Sequence, residues 1–105
     1  MKKYRVVVTA NAKADFVYYR DYLIYEKKSR QAAKSLLEDY KDTRKKLEVI
    51  ADSIKEPEST ALKKRKLKRI NFMRHNYFLL YSVKGNTVYV TNMFHGLEDY
   101  ESKIR

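Results

Sequence analysis

The chain contains no cysteine, no tryptophan, one proline and two glycines. Without cysteine it holds neither a disulfide framework nor a thiolate metal site, which fits a reducing compartment such as the cytoplasm. The shortage of proline and glycine argues against a loop-rich fold. No run of about 18 apolar residues is present, so we expect no membrane-spanning helix. The apolar run at residues 6–8 is also too short for a signal peptide, which takes about 7–15 residues.

Acidic residues are absent from Ser59 to Leu97, a stretch that carries eight lysines and arginines. This stretch accounts for most of the formal net charge of +11. Such a charge predicts an anionic partner, which is nucleic acid, an acidic protein or an anionic membrane surface. A solvated surface that only keeps the protein soluble is the more common explanation for scattered lysines, because charged residues mostly mark exposed faces. The acid-free stretch weakens that simpler explanation here.

The length of 105 residues indicates one domain, residues 1–105, with one core. Residues 4–9 are β-branched and predict a short strand. Residues 11–26 predict a helix, with Thr9 or Asn11 as its N-cap. Its apolar residues form two stripes, so we expect it to pack against the sheet and against a second helix or a partner protein. A longer helix is predicted over about 30–54 after an N-cap at Ser29, and Pro57 ends the helical region.

Three strands are predicted in the second half of the chain. Residues 66–73 alternate in part, and a turn at residues 74–76 follows. Gly85 and Asn86 separate two β-rich runs, residues 77–84 and 87–94, which is a strong hairpin signal because a primed turn needs positive φ. The order β-α-α-β-β-β predicts an α+β fold, with a two-helix hairpin on one face of a small, mainly antiparallel four-stranded sheet. We expect the other face to stay partly open, and the first strand to lie at an edge or between two others.

The two histidines and the absence of cysteine give no zinc-ligand spacing, and no Gly-rich phosphate loop is present. We therefore expect no metal and no cofactor. Cleavage of RNA needs only cations that hold phosphate and groups that transfer protons. Residues of these types gather near the ends of the last three strands; they are Arg69, Arg74, His75, His95, Glu98 and Tyr100. For His95 a bond to the C-terminal tail is an equal alternative. We expect His75 to be a solvated turn residue and Tyr81 to pack in the core.

Three local patterns, taken together in this order and spacing, resemble the RelE/ParE superfamily of toxins from bacterial type II toxin–antitoxin modules. The first is residues 4–9 with Ala14 and Asp15 in the following helix. The second is residues 76–83, which open with Asn76-Tyr77. The third is residues 94–101, which look like the H-x-x-x-D-Y-E ending of many such toxins. The resemblance covers the whole chain and implies the same α+β fold.

The resemblance implies a small basic toxin that an acidic antitoxin holds inactive. One branch of the superfamily cleaves mRNA in the ribosomal A site without metal, and another branch poisons DNA gyrase. We expect a cytoplasmic, ribosome-dependent mRNA endonuclease that inhibits translation. The residues expected to bind RNA phosphate are Lys66, Lys68 and Arg69, and those expected in catalysis are His95, Tyr100 and Arg74.

The chain departs from the superfamily pattern at cationic positions. Phe78 and Leu97 stand where arginine is usual, and Asn71 replaces the second of two basic residues before the hairpin. Each cation at such a site contributes up to several kcal/mol to stabilising the transition state. Two alternatives therefore stay open. One is a DNA gyrase inhibitor that acts by binding, and the other is a basic RNA-binding module without toxicity.

Overall fold

A computed structural model describes residues 3–104. The strands are β1 (Arg5–Val8), β2 (Lys68–Asn71), β3 (Tyr77–Lys84) and β4 (Thr87–His95), and the helices are α1 (Ala10–Asp21), α2 (Arg30–Ile50) and α3 (Thr60–Lys64). A π-helical turn (Tyr22–Glu26) extends α1, and short 3-10 turns lie at Ala51–Ser53 and Tyr100–Ser102. Within residues 3–104, no helix has the length and apolar character that crossing a membrane requires.

The four strands form one sheet in the order β1-β4-β3-β2. Strand β1 lies at an edge and runs parallel to β4, while the pairs β2–β3 and β3–β4 are antiparallel. The predicted α+β class and the sheet with a two-helix hairpin are thereby confirmed. Gly85 has a φ of +59°, the positive value that the predicted primed turn requires.

Hydroxyl side chains begin both long helices. Thr9 Oγ1 accepts a hydrogen bond from the Ala12 backbone N–H at 3.3 Å, and Ser29 Oγ accepts one from Ala32 N–H at 3.0 Å. Each bond satisfies a backbone donor that has no partner within the helix. Thr9 is therefore the N-cap of α1, and the alternative, Asn11, lies inside the helix.

The main core lies between the sheet and the helix pair, on what we call the helix face. Phe16 of α1 stacks on Tyr40 of α2 with ring centroids 4.6 Å apart, and both rings are buried. Tyr81 is fully buried, and its O–H donates to the Ala51 carbonyl oxygen at 2.9 Å. Its predicted core position is confirmed. Of the two predicted stripes on α1, Ala12, Phe16 and Tyr19 are buried, whereas Val17, Tyr18 and Tyr25 are exposed.

The opposite face of the sheet, the second face, carries a smaller core that the sequence did not predict. Its buried members are Leu62, Leu67, Phe78, Leu80 and Phe94, and Tyr100 and Ile104 pack against them. Helix α3 covers part of this face; Ser59 caps it by accepting from Leu62 N–H at 3.3 Å. Strand β2 is shorter than the predicted 66–73, because Lys66 and Leu67 form the turn that leaves α3, and Phe72 and Met73 lie beyond the last residue paired with β3.

A register shift interrupts the pairing of β3 with β4. Leu80 pairs with Asn92 and Tyr81 pairs with Val90, so Thr91 is an extra residue in β4. Such a bulge reverses which face each later side chain occupies. Val88 and Val90 belong to the main core before the bulge, and Met93 belongs to it afterwards. Phe94 consequently packs on the second face and His95 lies on the helix face.

Candidate functional site

The predicted site residues are divided between the two faces of the sheet. Arg69 and Tyr100 lie together on the second face, and Lys66 lines a groove there. Lys68 and His95 lie on the helix face, and Arg74 lies in the turn between β2 and β3 beside α2. The proton-transfer candidates His95 and Tyr100 therefore lie on opposite faces, and the phosphate-binding candidates Lys68 and Arg69 are likewise separated.

A cationic groove lies on the second face, where α3, β3 and β4 meet. This basic groove has a volume of about 640 Å³ and is lined by Arg65, Lys66, Leu67, Ser82, Val83, Lys84 and Thr91. Arg65, Lys66 and Lys84 are exposed. Within residues 3–104 none of these three cations forms an ion pair. Their charge is therefore uncompensated, and the groove is suited to an anionic ligand.

Lys66 follows α3 with a φ of +56°, a value that only a minority of non-glycine residues adopt. Leu67 N–H and Lys66 N–H donate to the carbonyl oxygens of Leu62 and Lys63, at 2.9 and 3.1 Å. These bonds close the C-terminus of α3 and turn the chain into β2. The buried Leu67 side chain then holds this turn against the second core. The turn thereby places Lys66 at the groove.

Arg69 and Tyr100 form an aromatic-cation group on the second face. The Arg69 guanidinium lies 3.8 Å from the Phe78 ring centroid and 5.8 Å from that of Tyr100. Its Nε donates to Asn71 Oδ1 at 2.8 Å. The Tyr100 ring packs edge-on against Phe78 at 5.1 Å. The phenylalanine that replaces the expected arginine is therefore a fully buried platform on which Arg69 stacks.

Two of the predicted cations are held by other parts of the protein. Lys68 Nζ donates to the Ile54 carbonyl oxygen at 3.0 Å, just after the end of α2. Arg74 Nη2 donates to Asp42 Oδ2 at 2.9 Å, and this bond raises the pKa of Arg74. Asp42 thus pairs with Arg74 across the turn. Lys68 thus links β2 to the segment after α2, and Arg74 links the β2–β3 turn to α2. An anionic ligand would have to compete with these partners for both cations.

His75 is not the solvated residue that we expected, because Asp39 of α2 binds it. The buried Asp39 carboxylate accepts from the backbone N–H groups of Met73, Arg74 and His75 at 2.9–3.2 Å, and from His75 Nδ1 at 2.8 Å. Ser35 Oγ lies 3.2 Å from His75 Nε2. Burial raises the pKa of Asp39, but these hydrogen bonds, that of the His75 ring foremost, outweigh burial and lower it. Asp39 therefore fixes the β2–β3 turn to α2.

A second concave site, the aromatic pocket, lies on the helix face where α1 meets the ends of β3 and β4. It has a volume of about 350 Å³ and is lined by Tyr18, Tyr19, Tyr22, Tyr77, His95 and Glu98. Ring contacts run from Tyr18 through Tyr19 and Tyr77 to His95, with centroids 4.9–5.2 Å apart. Burial, followed by the charge of Glu98, raises the pKa of Tyr77.

Sequence reasoning missed the roles of Asp39 and Tyr19, whereas Glu98 was among the residues expected near His95. A carboxylate on the apolar seam of α2, between Leu36 and Tyr40, was the available signal for Asp39. No signal in the sequence pointed to Tyr19, because its position on an apolar stripe is typical of a core residue. Within residues 3–104 no cluster of histidine and acidic side chains could hold a metal ion.

Comparison with known proteins gives a fold relationship. No family model matches the chain, and no curated protein has a matching sequence. A solved structure described as "Chromosomal ParDE TA system from P. aeruginosa" contains a chain of similar fold, with a TM-score of 0.71. The match covers 89% of this chain and 96% of that chain at 17% sequence identity. At this identity the similarity establishes a shared ParE/RelE-like fold.

Proposed function

We propose that this chain is the toxin of a type II toxin–antitoxin pair and that it acts by binding its target through the second face. The observation that carries the second part is the separation of His95 from Arg69 and Tyr100 across the sheet. The first part rests on the shared fold with a chain of a ParDE system and on the net charge of +11.

An mRNA endonuclease is the competing activity. Such an enzyme needs an acid, a base and phosphate-binding cations within hydrogen-bond reach of one phosphodiester. Arg69 and Tyr100 meet this requirement in part, since they share a face. His95 lies on the helix face. Arg74 is bonded to Asp42 of α2, and Lys68 is bonded to Ile54, which follows α2. Because the proton-transfer candidates His95 and Tyr100 lie on opposite faces, we favour a toxin that binds its target and does not cleave RNA.

The binding surface that we propose consists of the basic groove and the Arg69–Tyr100 group. Arg65, Lys66 and Lys84 supply uncompensated charge, and Arg69 adds a guanidinium on an aromatic platform. A target with an acidic or phosphate-bearing surface complements this face. Among the targets that the superfamily resemblance implies, DNA gyrase is the one attacked by binding, and we propose it as the first to test.

Two assays on the same purified protein separate the activities. In a supercoiling assay with DNA gyrase, we expect inhibition that rises with toxin concentration. Primer extension on mRNA from translating ribosomes should show no new ends within codons. Breaks within codons, together with unchanged supercoiling, would refute the binding mechanism and support the endonuclease. Normal growth after induction of the gene alone would refute toxicity altogether.

The proposal includes an acidic antitoxin as the partner. An acidic segment would neutralise the cations of the basic groove and cover the exposed stripe of α1, which includes Val17 and Tyr18. Co-expression with the product of an adjacent gene for a short acidic protein should restore growth and yield a complex that survives purification. If every acidic neighbour fails to bind, the toxin–antitoxin assignment is wrong.

A further inference from the structure

The aromatic pocket combines tyrosine walls with the imidazole of His95, and its polar groups decide which ligand it can hold. Its carboxylate is already bonded: Glu98 Oε1 accepts from the Tyr19 O–H and from His95 backbone N–H at 3.0 Å, and Oε2 accepts from Lys103 Nζ at 2.9 Å. Tyr19 has a single O–H, and its bond to Glu98 Oε1 already uses it. Glu98 therefore keeps little capacity for a cationic ligand.

The histidine ring supplies a hydrogen-bond donor of fixed orientation. His95 Nδ1 accepts a hydrogen bond from the Leu97 backbone N–H at 3.2 Å. In a neutral imidazole the proton then lies on Nε2, which donates. The ring also stands edge-on against Tyr77, at an interplanar angle of 88°. The orientation of the ring is thus fixed from two sides, and His95 is one of the residues that line the pocket.

The backbone that carries His95 is held by a close approach. Gly96 N–H donates to the Asn76 carbonyl oxygen at 2.8 Å. A Cβ at residue 96 would overlap the side-chain amide of Asn76. An alanine here would displace the Asn76 side chain, so glycine lets the turn after β4 lie against the start of β3. This contact fixes His95 and Tyr77 on one wall of the pocket.

We propose that the aromatic pocket binds a nucleobase, which lies against the tyrosine rings and accepts a hydrogen bond from His95 Nε2–H. The ligand that complements these walls is flat, uncharged and bears an acceptor on its edge. Every nucleobase has these properties, whereas an aliphatic or phenyl anchor of a partner protein leaves the N–H without an acceptor. The net charge of +11 also attracts nucleotides and nucleic acids electrostatically. The site lies on the face opposite the basic groove, and it does not depend on the proposed toxin function.

In the test, the intact protein is titrated with uncharged nucleosides, with nucleoside monophosphates and with a short single-stranded oligonucleotide. Binding is measured from the changes in the NMR chemical shifts of His95 and Tyr77. We compare Tyr18→Ala with Tyr25→Ala. Both tyrosines are exposed, at 67% and 65%, but only Tyr18 lines the pocket. Loss of one stacking partner weakens binding by about 5-fold to 150-fold. We expect this loss for Tyr18→Ala, and unchanged affinity for Tyr25→Ala.

The donor is tested with His95→Phe, which keeps a ring beside Tyr77 but has no N–H. We expect at least about a fivefold loss of affinity, which corresponds to one hydrogen bond. If nucleosides bind with the same affinity as their monophosphates, the base is the part that is recognised. If only the oligonucleotide binds, and Tyr18→Ala does not change its affinity, the contact lies in the basic groove and the proposal is overturned. Failure of all nucleosides to bind at about 1 mM overturns it as well.

Discussion

Replacing Asp39 with asparagine keeps the shape of the side chain and removes its charge. The carboxylate is fully buried and accepts four hydrogen bonds, three of them from consecutive backbone N–H groups. An amide has one acceptor oxygen, and its NH2 group would face at least one of these donors. A buried donor without a partner costs about 1–3 kcal/mol, and the remaining bonds lose their charge assistance. We therefore expect a loss of about 3 kcal/mol in the free energy of unfolding.

Urea denaturation at neutral pH measures this loss, and Asp42→Asn is the matched control. Asp42 bonds Arg74 from the surface, with about half of its side chain exposed. An exposed ion pair contributes about 0–1 kcal/mol, so the control should lose no more than that. Equal losses in the two variants would refute the role that we assign to Asp39.

The pH dependence of the free energy of unfolding tests the same contact in a second way. Hydrogen bonding lowers the pKa of Asp39 in the folded protein, despite its burial. A carboxyl with a lowered folded pKa stabilises the fold fully above its unfolded value of about 4, and this stabilisation is lost as the pH falls through the folded pKa. The stability difference between the wild type and Asp39→Asn should therefore be constant near neutrality and shrink below about pH 4. A difference that grows on acidification would contradict this linkage.

Three further substitutions test the fold around the two candidate sites. Phe78→Ala removes a fully buried ring from under Arg69 and should cost about 3–5 kcal/mol in urea denaturation. Gly96→Ala displaces the Asn76 side chain and should shift the NMR signals of the aromatic pocket. Gly85→Ala meets open space and should cost only about 1 kcal/mol for its positive φ. Ser59→Ala removes the N-cap of α3 and should cost about 1 kcal/mol. An unperturbed pocket in Gly96→Ala, or a stability loss below about 1 kcal/mol for Phe78→Ala, would contradict the packing described here.

Much of the fold follows from local patterns in the sequence. The hairpin turn at Gly85 and the N-cap at Ser29 depend on the conformational needs of single residues, so they are readable without a structure. The α3 helix was missed because it has only five residues, too few to show an apolar period. Its available signal was Ser59 followed three residues later by Leu62, which the structure buries.

The candidate site was harder to predict, because one inserted residue decides its composition. A continuous two-residue alternation from Val88 would have placed His95 on the second face with Arg69 and Tyr100. The bulge at Thr91 reverses that alternation, and it depends on pairing with β3 that no local pattern encodes. The partners of Arg74 and Lys68 likewise come from α2 and the residues that follow it, far away in the sequence.

Charge reversal in the basic groove tests the central claim most directly. The double variant Lys66→Glu, Lys84→Glu places two acidic residues in the groove. The control double variant Lys41→Glu, Lys45→Glu makes the same change in net charge at exposed positions of α2. Growth after induction of each gene without any antitoxin is the measurement. We predict that the groove variant permits growth while the α2 variant still arrests it. Arrest by both variants, at equal levels of folded protein, would contradict target binding through the second face.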